Sequence, residues 1–239
     1  MSVLLTDKER CIKNLPELIE QVGASLKKVS LSLVKPNLCG YYPPSPQLLG
    51  AAVRTLEEFS DRIVVGDTDS TIHRADEMFR RRGYSKLEGG KVELRNLLRD
   101  EVRWVEVPSP HAVDKLPLPD SALSCGLMLN MPGLGTHGNT KLTCASKNLF
   151  GLIASRRKLS DYHPLGVDRV IADICKVIRP TVNLVDAGDD VLLGVDVLNV
   201  DFVAAGMIGL DPREVEHLRL IASDRGLDLS DFKVELLRV

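Results

Sequence analysis

The segment from Asn130 to Lys158 concentrates the side chains of this chain that are best suited to chemistry. It opens with a loop rich in glycine and proline that holds Thr136 and His137, and it continues into a predicted helix that carries Lys147 and Asn148. Glycines let a ligand approach the backbone closely, and the amide groups at the start of a helix attract negative charge. The segment therefore predicts an anion-binding site in which Thr136 and Asn148 contact the ligand.

Lys147 and His137 are the candidates for a catalytic acid or base. Lys147 stands inside the apolar run LTCASKNLFGLI, and an amine that loses its water shell becomes a better base and nucleophile. Histidine titrates near neutral pH and so suits proton transfer. The plainer alternatives are a solvated lysine and a surface histidine, and the sequence leaves both open.

Polar side chains also follow predicted strands at the points where the strands end. Lys35 and Asn37 follow the first strand, Asp67 follows the second, and Asp186 follows a later one. The carboxyl ends of parallel strands share one edge of a sheet, where open α/β proteins bind ligands. We therefore expect these four residues to contact the ligand too. A solvated turn, a helix cap and an Asx turn are the alternatives.

A run of positive charge, Arg156 and Arg157, follows the predicted helix, and His163 comes a few residues later. Paired arginines grip phosphate and carboxylate groups well. This pattern predicts that Arg156, Arg157 and His163 bind the anion. A solvated helix end, where cations complement the helix dipole, is the alternative.

The composition bounds the function more loosely. The chain has 239 residues and a formal net charge of −2, so we expect no nucleic-acid partner. No apolar run is long enough to span a bilayer, and we expect no membrane partner. The five cysteines are scattered and form no CxxC pair, which predicts a reducing, cytoplasmic location and no self-contained metal site. They are Cys11, Cys39, Cys125, Cys144 and Cys175.

Strand and helix patterns alternate along the chain. They predict an α/β fold with a mostly parallel or mixed sheet flanked by helices, in a single compact domain over residues 1–239. The predicted strands cover residues 29–34, 62–67, 91–94, 102–107, 122–129, 181–187 and 232–239. The predicted helices cover residues 16–28, 73–82, 140–153, 167–178 and 197–209, with two more beginning at Pro46 and Pro212. Prolines predict an irregular crossover over residues 108–119.

Taken together, the motifs resemble those of the prokaryotic domain-of-unknown-function family numbered three hundred and sixty-two. The shared motifs are Lys35-Pro36-Asn37, Gly66-Asp67, Pro132 with Thr136-His137, KNLFG at 147–151, Arg156/Arg157 with His163, Val185-Asp186, and a helix at 200–205 that runs into GLDP at 209–212. The resemblance spans most of the chain, and KNLFG is its most specific motif. It implies a fold of this class but no assigned activity.

The chain departs from this family pattern at two places. Gly135 stands where the family usually has a lysine, and the glycine-proline loop after the strand at Asp186 is missing. We expect Asp186 to lead through Asp189 and Asp190 almost directly into a helix. Family members are sometimes fused to a ferredoxin-like domain with iron–sulfur clusters, and no such domain is expected here.

Two hypotheses are consistent with these residues. The favoured one is a protein that binds a small anionic metabolite bearing phosphate or carboxylate, with Lys147 or His137 available for acid–base catalysis. The alternative is a redox-associated protein whose iron–sulfur cluster shares its ligands between subunits or with a partner, for which Cys39 and Cys144 are the candidates. The sequence leaves open the cofactor, the reaction, whether there is a reaction, and the oligomeric state, a homo-oligomer included.

Overall fold

The computed structural model describes residues 2–239, and strands and helices alternate through most of it. The strands are β1 (Ser2–Asp7), β2 (Val29–Pro36), β3 (Ser60–Asp67), β4 (Val92–Asn96), β5 (Val102–Glu106), β6 (Lys115–Pro119), β7 (Leu127–Met131), β8 (Gly135–His137), β9 (Lys141–Thr143), β10 (Val182–Ala187), β11 (Asp190–Gly194) and β12 (Glu235–Arg238). The α-helices are α1 (Lys8–Lys13), α2 (Leu15–Gln21), α3 (Pro46–Glu57), α4 (Ala75–Arg81), α5 (Asp120–Ser124), α6 (Ala145–Leu149), α7 (Lys158–Asp161), α8 (Val167–Val177), α9 (Val197–Met207) and α10 (Glu216–Asp224). Short 3₁₀ turns cover Tyr84–Leu87, Leu97–Arg99, Phe150–Leu152, His163–Leu165 and Pro212–Glu214.

Eight of the strands form one mixed sheet in the order β12-β1-β11-β10-β7-β2-β3-β4. The run from β10 to β4 is parallel throughout, while β11 is antiparallel to both β10 and β1. Because β2, β3, β7 and β10 are parallel, their carboxyl ends share one edge of the sheet. This confirms the predicted α/β class with a mostly parallel, mixed sheet flanked by helices.

The sheet has an apolar layer on each face. Successive strand residues point to opposite faces, so Leu33 and Val64 belong to one buried cluster and Val34 and Val65 to the other. The first cluster packs beneath α6, α8, α9 and α10, and the second beneath α1 to α4. Burial on both faces explains why β2 and β3 end in near-continuous apolar runs.

Two predicted elements around the glycine loop are wrong in their bounds or type. The predicted strand at 122–129 is in fact the end of helix α5 followed by β7, and the predicted helix at 140–153 is β9, α6 and a 3₁₀ turn. Helix α6 begins only at Ala145 because the carboxylate of Asp201 accepts hydrogen bonds from Ala145 N (2.7 Å) and Ser146 N (2.9 Å). This cap comes from a residue far away in the sequence.

The chain also forms strands where none was predicted. Residues 115–119 are not part of an irregular crossover but form β6, whose prolines are tolerated because β6 pairs with β5 alone. Asp186 does not lead into a helix, since a tight turn with Gly188 at φ +87° returns the chain as β11. Strand β1 and helix α1 have no counterpart in the predicted elements, and the helix predicted to reach Lys28 ends at Gln21.

Within residues 2–239, none of the helices combines the length and the apolar character that a bilayer crossing requires.

Candidate functional site

A cavity of about 340 Å³ opens at the carboxyl edge of the sheet, next to the ends of β2 and β3. Such a volume suits a small ligand. Its wall includes seven of the predicted site residues: Lys35, Asn37, Asp67, His137, Lys147, Asn148 and His163. The parallel order of β2 and β3 brings Lys35, Asn37 and Asp67 together, and the elements that follow β7 in the chain add the other four residues.

A second, larger cleft of about 760 Å³ lies near α8, α9 and α10. Its charged groups largely neutralise one another, since Lys176 contacts Asp224 (3.2 Å) and Arg225 contacts Asp196 (2.8 Å). We therefore assign the candidate site by its chemistry and not by its size.

Lys35 and Asp67 form the floor of the cavity. The Lys35 Nζ lies 2.9 Å from Asp67 Oδ1, and both side chains are almost completely buried, with 1% and 5% exposed. The carboxylate also accepts hydrogen bonds from the backbone N–H groups of Leu38, Cys39 and Thr68. Donors of the protein therefore occupy both carboxylate oxygens of Asp67. The charges of Lys35 and Asp67 cancel, and these contacts hold the pair rigidly in place.

A ladder of three asparagines supports this floor from inside the protein. Asn148 accepts a hydrogen bond from Lys35 Nζ (3.1 Å) and donates to Asn130 Oδ1 (2.8 Å), and Asn130 donates in turn to Asn183 Oδ1 (2.8 Å). Asn183 donates to the Gly194 carbonyl of β11. All three amides are buried and paired, as buried polar groups must be. They fix the positions of Lys35 and helix α6.

Gly151 closes the KNLFG motif against the ion pair. A Cβ at this position would lie 2.7 Å from Lys35 Nζ and 2.9 Å from Asp67 Oδ1. The glycine is therefore required by the close approach of the backbone to the buried charges.

Lys147 is the one lysine of the cavity wall that forms no hydrogen bond or ion pair within residues 2–239. Its Nζ lies 4.9 Å from the centre of the Phe150 ring, a contact that favours the ammonium form. Burial and the nearby charge of Lys35 outweigh this contact and lower the pKa of Lys147 to about 8. A lysine with these properties can bind an anion as the ammonium or act as a base or nucleophile as the amine.

Lys158, the first residue of α7, is a buried lysine in the cavity wall, and it was not among the predicted site residues. Its Nζ donates to Thr68 Oγ1 and to the Gly151 carbonyl (3.2 Å). Burial lowers the pKa of Lys158 to about 8, although Asp67 opposes the shift. The only sequence signal was its place in the run Arg156-Arg157-Lys158, which does not distinguish it from its neighbours.

Two histidines line the cavity near Lys147. Burial, followed by the charge of Lys147, lowers the pKa of both His137 and His163 below the usual value. The Nδ1 of His137 accepts hydrogen bonds from the backbone N–H groups of Asn139 and Thr140, at 3.3 Å each. The neutral ring therefore carries its proton on Nε2, where it is available as a donor.

The cavity has an excess of positive charge. Asp67 is neutralised by Lys35, and the other carboxylate in the wall, Asp69, lies 2.9 Å from Arg74. Lys147 and Lys158 have no carboxylate partner within residues 2–239. Burying an ammonium without a counter-ion is unfavourable. A bound anion would supply the missing counter-charge and so stabilise the folded protein.

Four predicted site residues do not line the cavity. Thr136, Arg156 and Arg157 are exposed, and Arg157 contacts Asp161. Asp186 lies at the same edge of the sheet but binds Lys8 (2.8 Å) and the backbone N–H of Ser45 (2.8 Å). Gly135, at the position where the family resemblance led us to expect a lysine, faces the Tyr42 ring, since a Cβ there would lie 2.3 Å from the ring carbons.

Other residues of the wall were not predicted. Thr68 donates to the Gly151 carbonyl (2.5 Å) and so joins β3 to the KNLFG motif. Tyr41, Ile72 and Leu159 add apolar surface while remaining largely exposed. These residues come from loops and from α7. Loop residues lack the regular spacing that identifies one face of a helix or strand, so the sequence does not show which of them meet in a cavity.

Cys39 and Cys144, the two candidate cluster ligands, are both shielded from the surface. Cys39 and Cys144 are buried, and burial raises the pKa of the Cys39 thiol to about 12 and that of Cys144 well above its usual value. Within residues 2–239, no group of three or more histidine, cysteine, aspartate or glutamate side chains is arranged to hold a metal ion.

Comparison with known proteins places the chain in a family. It is similar to the thylakoid-associated protein sll1697 of Synechocystis sp., with 22% identity over an alignment that covers 94% of this chain and 76% of that protein. A family model matches residues 33–190, which include the second half of β2, the whole of β3, the KNLFG motif and Asp186. Because this match covers more than half of the chain, the protein belongs to the family described as Domain of unknown function (DUF362).

Proposed function

We propose that the protein binds a small metabolite bearing a carboxylate or phosphate group in the cavity beside Lys35 and Asp67. The observation that carries this proposal is the presence of two amines in the cavity wall, the half-buried Lys147 and the buried Lys158, with no carboxylate partner in residues 2–239. Lys147 and the Nε2–H of His137 are the groups available for acid–base chemistry. A cytoplasmic location, a small-molecule ligand and the absence of nucleic-acid and membrane partners belong to the same proposal.

The distribution of charge favours an anion over a cation. The carboxylates in the wall, Asp67 and Asp69, already accept several hydrogen bonds each, including those from Lys35 and Arg74. Within residues 2–239, the Lys147 amine has no hydrogen-bond acceptor and no counter-ion, and the His137 ring has a free N–H donor at Nε2. A ligand with acceptor oxygens would satisfy groups that the protein leaves unsatisfied.

No contact favours the alternative of an iron–sulfur cluster shared between subunits. Such a cluster needs thiolates that a second chain can approach, and Cys39 and Cys144 are both buried and hard to deprotonate. The proposal therefore rests on the lysines.

Thermal unfolding with a panel of anions tests the proposed function. The panel contains phosphate, sulfate, lactate and pyruvate, each matched in ionic strength with chloride. A ligand at one hundred times its Kd stabilises the fold by about 2.7 kcal/mol, which is roughly 5–10 °C in Tm for a chain of this size. We expect at least one anion to raise the Tm of the wild type and not that of Lys147→Met.

Lys141→Met is the matched control, because Lys141 is exposed, does not line the cavity and pairs with Glu214. It is expected to respond as the wild type does. If no anion raises the Tm of the wild type, or if Lys147→Met responds equally, the proposed function is wrong.

A further inference from the structure

Resting on the proposed anion site, we propose that Lys147 is an amine nucleophile and that the ligand is an aldehyde or ketone carrying a carboxylate or phosphate. The Lys147 Nζ would form a Schiff base with the carbonyl carbon of that ligand. This proposal restricts the class of ligands from small anions in general to anions that also contain an aldehyde or ketone group. It also predicts a covalent bond between the ligand and Lys147.

The three lysines of the cavity differ in whether their amines are free to react. Lys35 Nζ donates to Asp67, to Asn148 and to the Pro36 carbonyl. Lys158 Nζ donates to Thr68 and to the Gly151 carbonyl. The Lys147 Nζ has no hydrogen-bond acceptor within residues 2–239 and touches only the Phe150 ring among groups that attract a cation. The pKa of Lys158 is also lowered to about 8, but its two hydrogen bonds hold its Nζ in place. Among the described residues of the cavity wall, Lys147 is therefore the lysine whose Nζ is free to approach a carbonyl carbon.

The surroundings of Lys147 also favour the neutral amine. Burial and the charge of Lys35 lower its pKa to about 8. At physiological pH the neutral amine is therefore a minority form, but it is far more abundant than in a solvated lysine. The rival nucleophile of the cavity, the Cys39 thiol, has a pKa raised to about 12 by burial and by Asp67, and it stays protonated. Desolvated lysines near a second cation are a recognised way to obtain a nucleophilic amine.

The proposed step balances without an oxidant or a reductant. The Nζ lone pair forms a bond to the carbonyl carbon while the carbonyl oxygen takes a proton, which gives a carbinolamine. Loss of water from that intermediate leaves the protonated imine, so the net change is amine plus proton plus carbonyl compound to iminium plus water. The extra proton of the iminium comes from solvent water, while the Nε2–H of His137 can donate a hydrogen bond to the carbonyl oxygen and Lys158 remains to hold the anionic group.

Reductive trapping tests this step with matched pairs of ligands. The full-length protein is incubated with pyruvate or dihydroxyacetone phosphate in the presence of cyanoborohydride, and peptide mass spectrometry locates the adduct. Lactate and glycerol phosphate, which are the reduced forms of these compounds, serve as controls that keep the anion and lack the carbonyl. Comparing the two carbonyl compounds shows whether the site takes carboxylate or phosphate.

The expected result is a mass increase on Lys147, equal to the carbonyl compound plus two hydrogens minus water, with at least one of the two carbonyl compounds. Lys147→Arg is expected to lose this adduct, while Lys141→Arg keeps it. Mapping the adduct in the wild type needs no variant to fold. Labelling spread evenly over the exposed lysines, or an adduct that persists at other cavity residues in Lys147→Arg, would overturn the proposal.

The outcome also separates this proposal from the proposed function. Calorimetry without the reductant measures the binding of lactate and glycerol phosphate. If these anions bind while neither carbonyl compound gives an adduct on Lys147, the Schiff base is disproved and the anion site stands. If neither anion binds and no adduct forms, both proposals are wrong.

Discussion

Lys35 and Asp67 stand at the ends of neighbouring parallel strands and form a buried ion pair, with 2.9 Å between Nζ and Oδ1. Each residue was predicted from sequence to contact a ligand, yet their charges neutralise each other. Lys35 Nζ also donates to Asn148 Oδ1, and Asp67 accepts hydrogen bonds from the backbone N–H groups of Leu38 and Cys39. The pair therefore builds the floor of the site and leaves the unneutralised charge to Lys147 and Lys158.

Asp67→Asn is expected to destabilise the protein. The substitution leaves the Lys35 ammonium buried without a counter-ion, and breaking a buried pair in this way costs about 3–5 kcal/mol. Urea denaturation measures the change. Glu77→Gln, which breaks the exposed pair with Arg81, is the matched control and should cost no more than about 1 kcal/mol. Equal effects of the two substitutions would show that the Lys35–Asp67 pair is not buried as described.

Gly151→Ala is expected to destabilise the protein by about 1–3 kcal/mol, because a Cβ would press on Lys35 Nζ and Asp67 Oδ1. Gly206→Ala is the control: it lies in α9 with nothing within 4 Å of the added Cβ, and it should stabilise by up to about 1 kcal/mol through helix propensity. Equilibrium unfolding compares both variants. A neutral Gly151→Ala would mean that the backbone does not approach the pair so closely.

Lys147→Met is expected to stabilise the empty protein, and the gain should depend on pH. The pKa of Lys147 is about 8 in the folded protein and 10.5 as the usual value. Between pH 8 and pH 10.5 the unfolded state binds more protons than the folded state, so the free energy of unfolding rises with pH over this range. Lys147 therefore lowers the stability of the folded protein most below pH 8, and this destabilisation disappears towards pH 10.5. Lys147 is partly exposed, and solvent screens part of its charge. The expected gain in the free energy of unfolding of Lys147→Met below pH 8 is therefore on the order of 1–3 kcal/mol.

Unfolding of the wild type and Lys147→Met at several pH values measures this gain. Lys86→Met, which removes an exposed lysine outside the cavity, is the control and should give a difference that does not change with pH. A constant difference for Lys147→Met as well would contradict the lowered pKa.

His137 and His163 report on the charge of Lys147. Burial and this charge lower the pKa of both rings. NMR titration of the imidazole signals should therefore show a higher pKa for both histidines in Lys147→Met than in the wild type, because one of the two causes is removed. Lys86→Met should leave both titration curves in place. If Lys147→Met leaves them in place too, the three side chains do not share one cavity.

The sequence predicts the floor of the site well and its walls less well. Lys35 and Asp67 follow apolar runs, and the parallel order of strands suffices to bring such residues together. Lys147 stands out because it interrupts an apolar run. Lys158 could not be separated from Arg156 and Arg157, since three adjacent cations give no sign of which one folds inward.

The missed boundaries have a common physical cause. Helix α6 begins where the carboxylate of Asp201 caps it, and that residue lies in α9. A local pattern cannot reveal a cap supplied by a distant element. In the same way, the Tyr42 ring fills the space in front of Gly135 and leaves no room for a side chain there. The sequence around Gly135 gives no sign of this contact, because Tyr42 lies far away in the chain.

The location of a bound oxyanion tests the central claim most directly. A crystal of the wild-type protein soaked in selenate, an analogue of sulfate, reveals the anion by its anomalous scattering. We expect selenate in the cavity, within hydrogen-bonding distance of the Lys147 Nζ, and we expect that peak to be lost in Lys147→Met. Selenate found only on exposed cations such as Arg156 and Arg157, with the cavity empty, would show that the cavity is not an anion site.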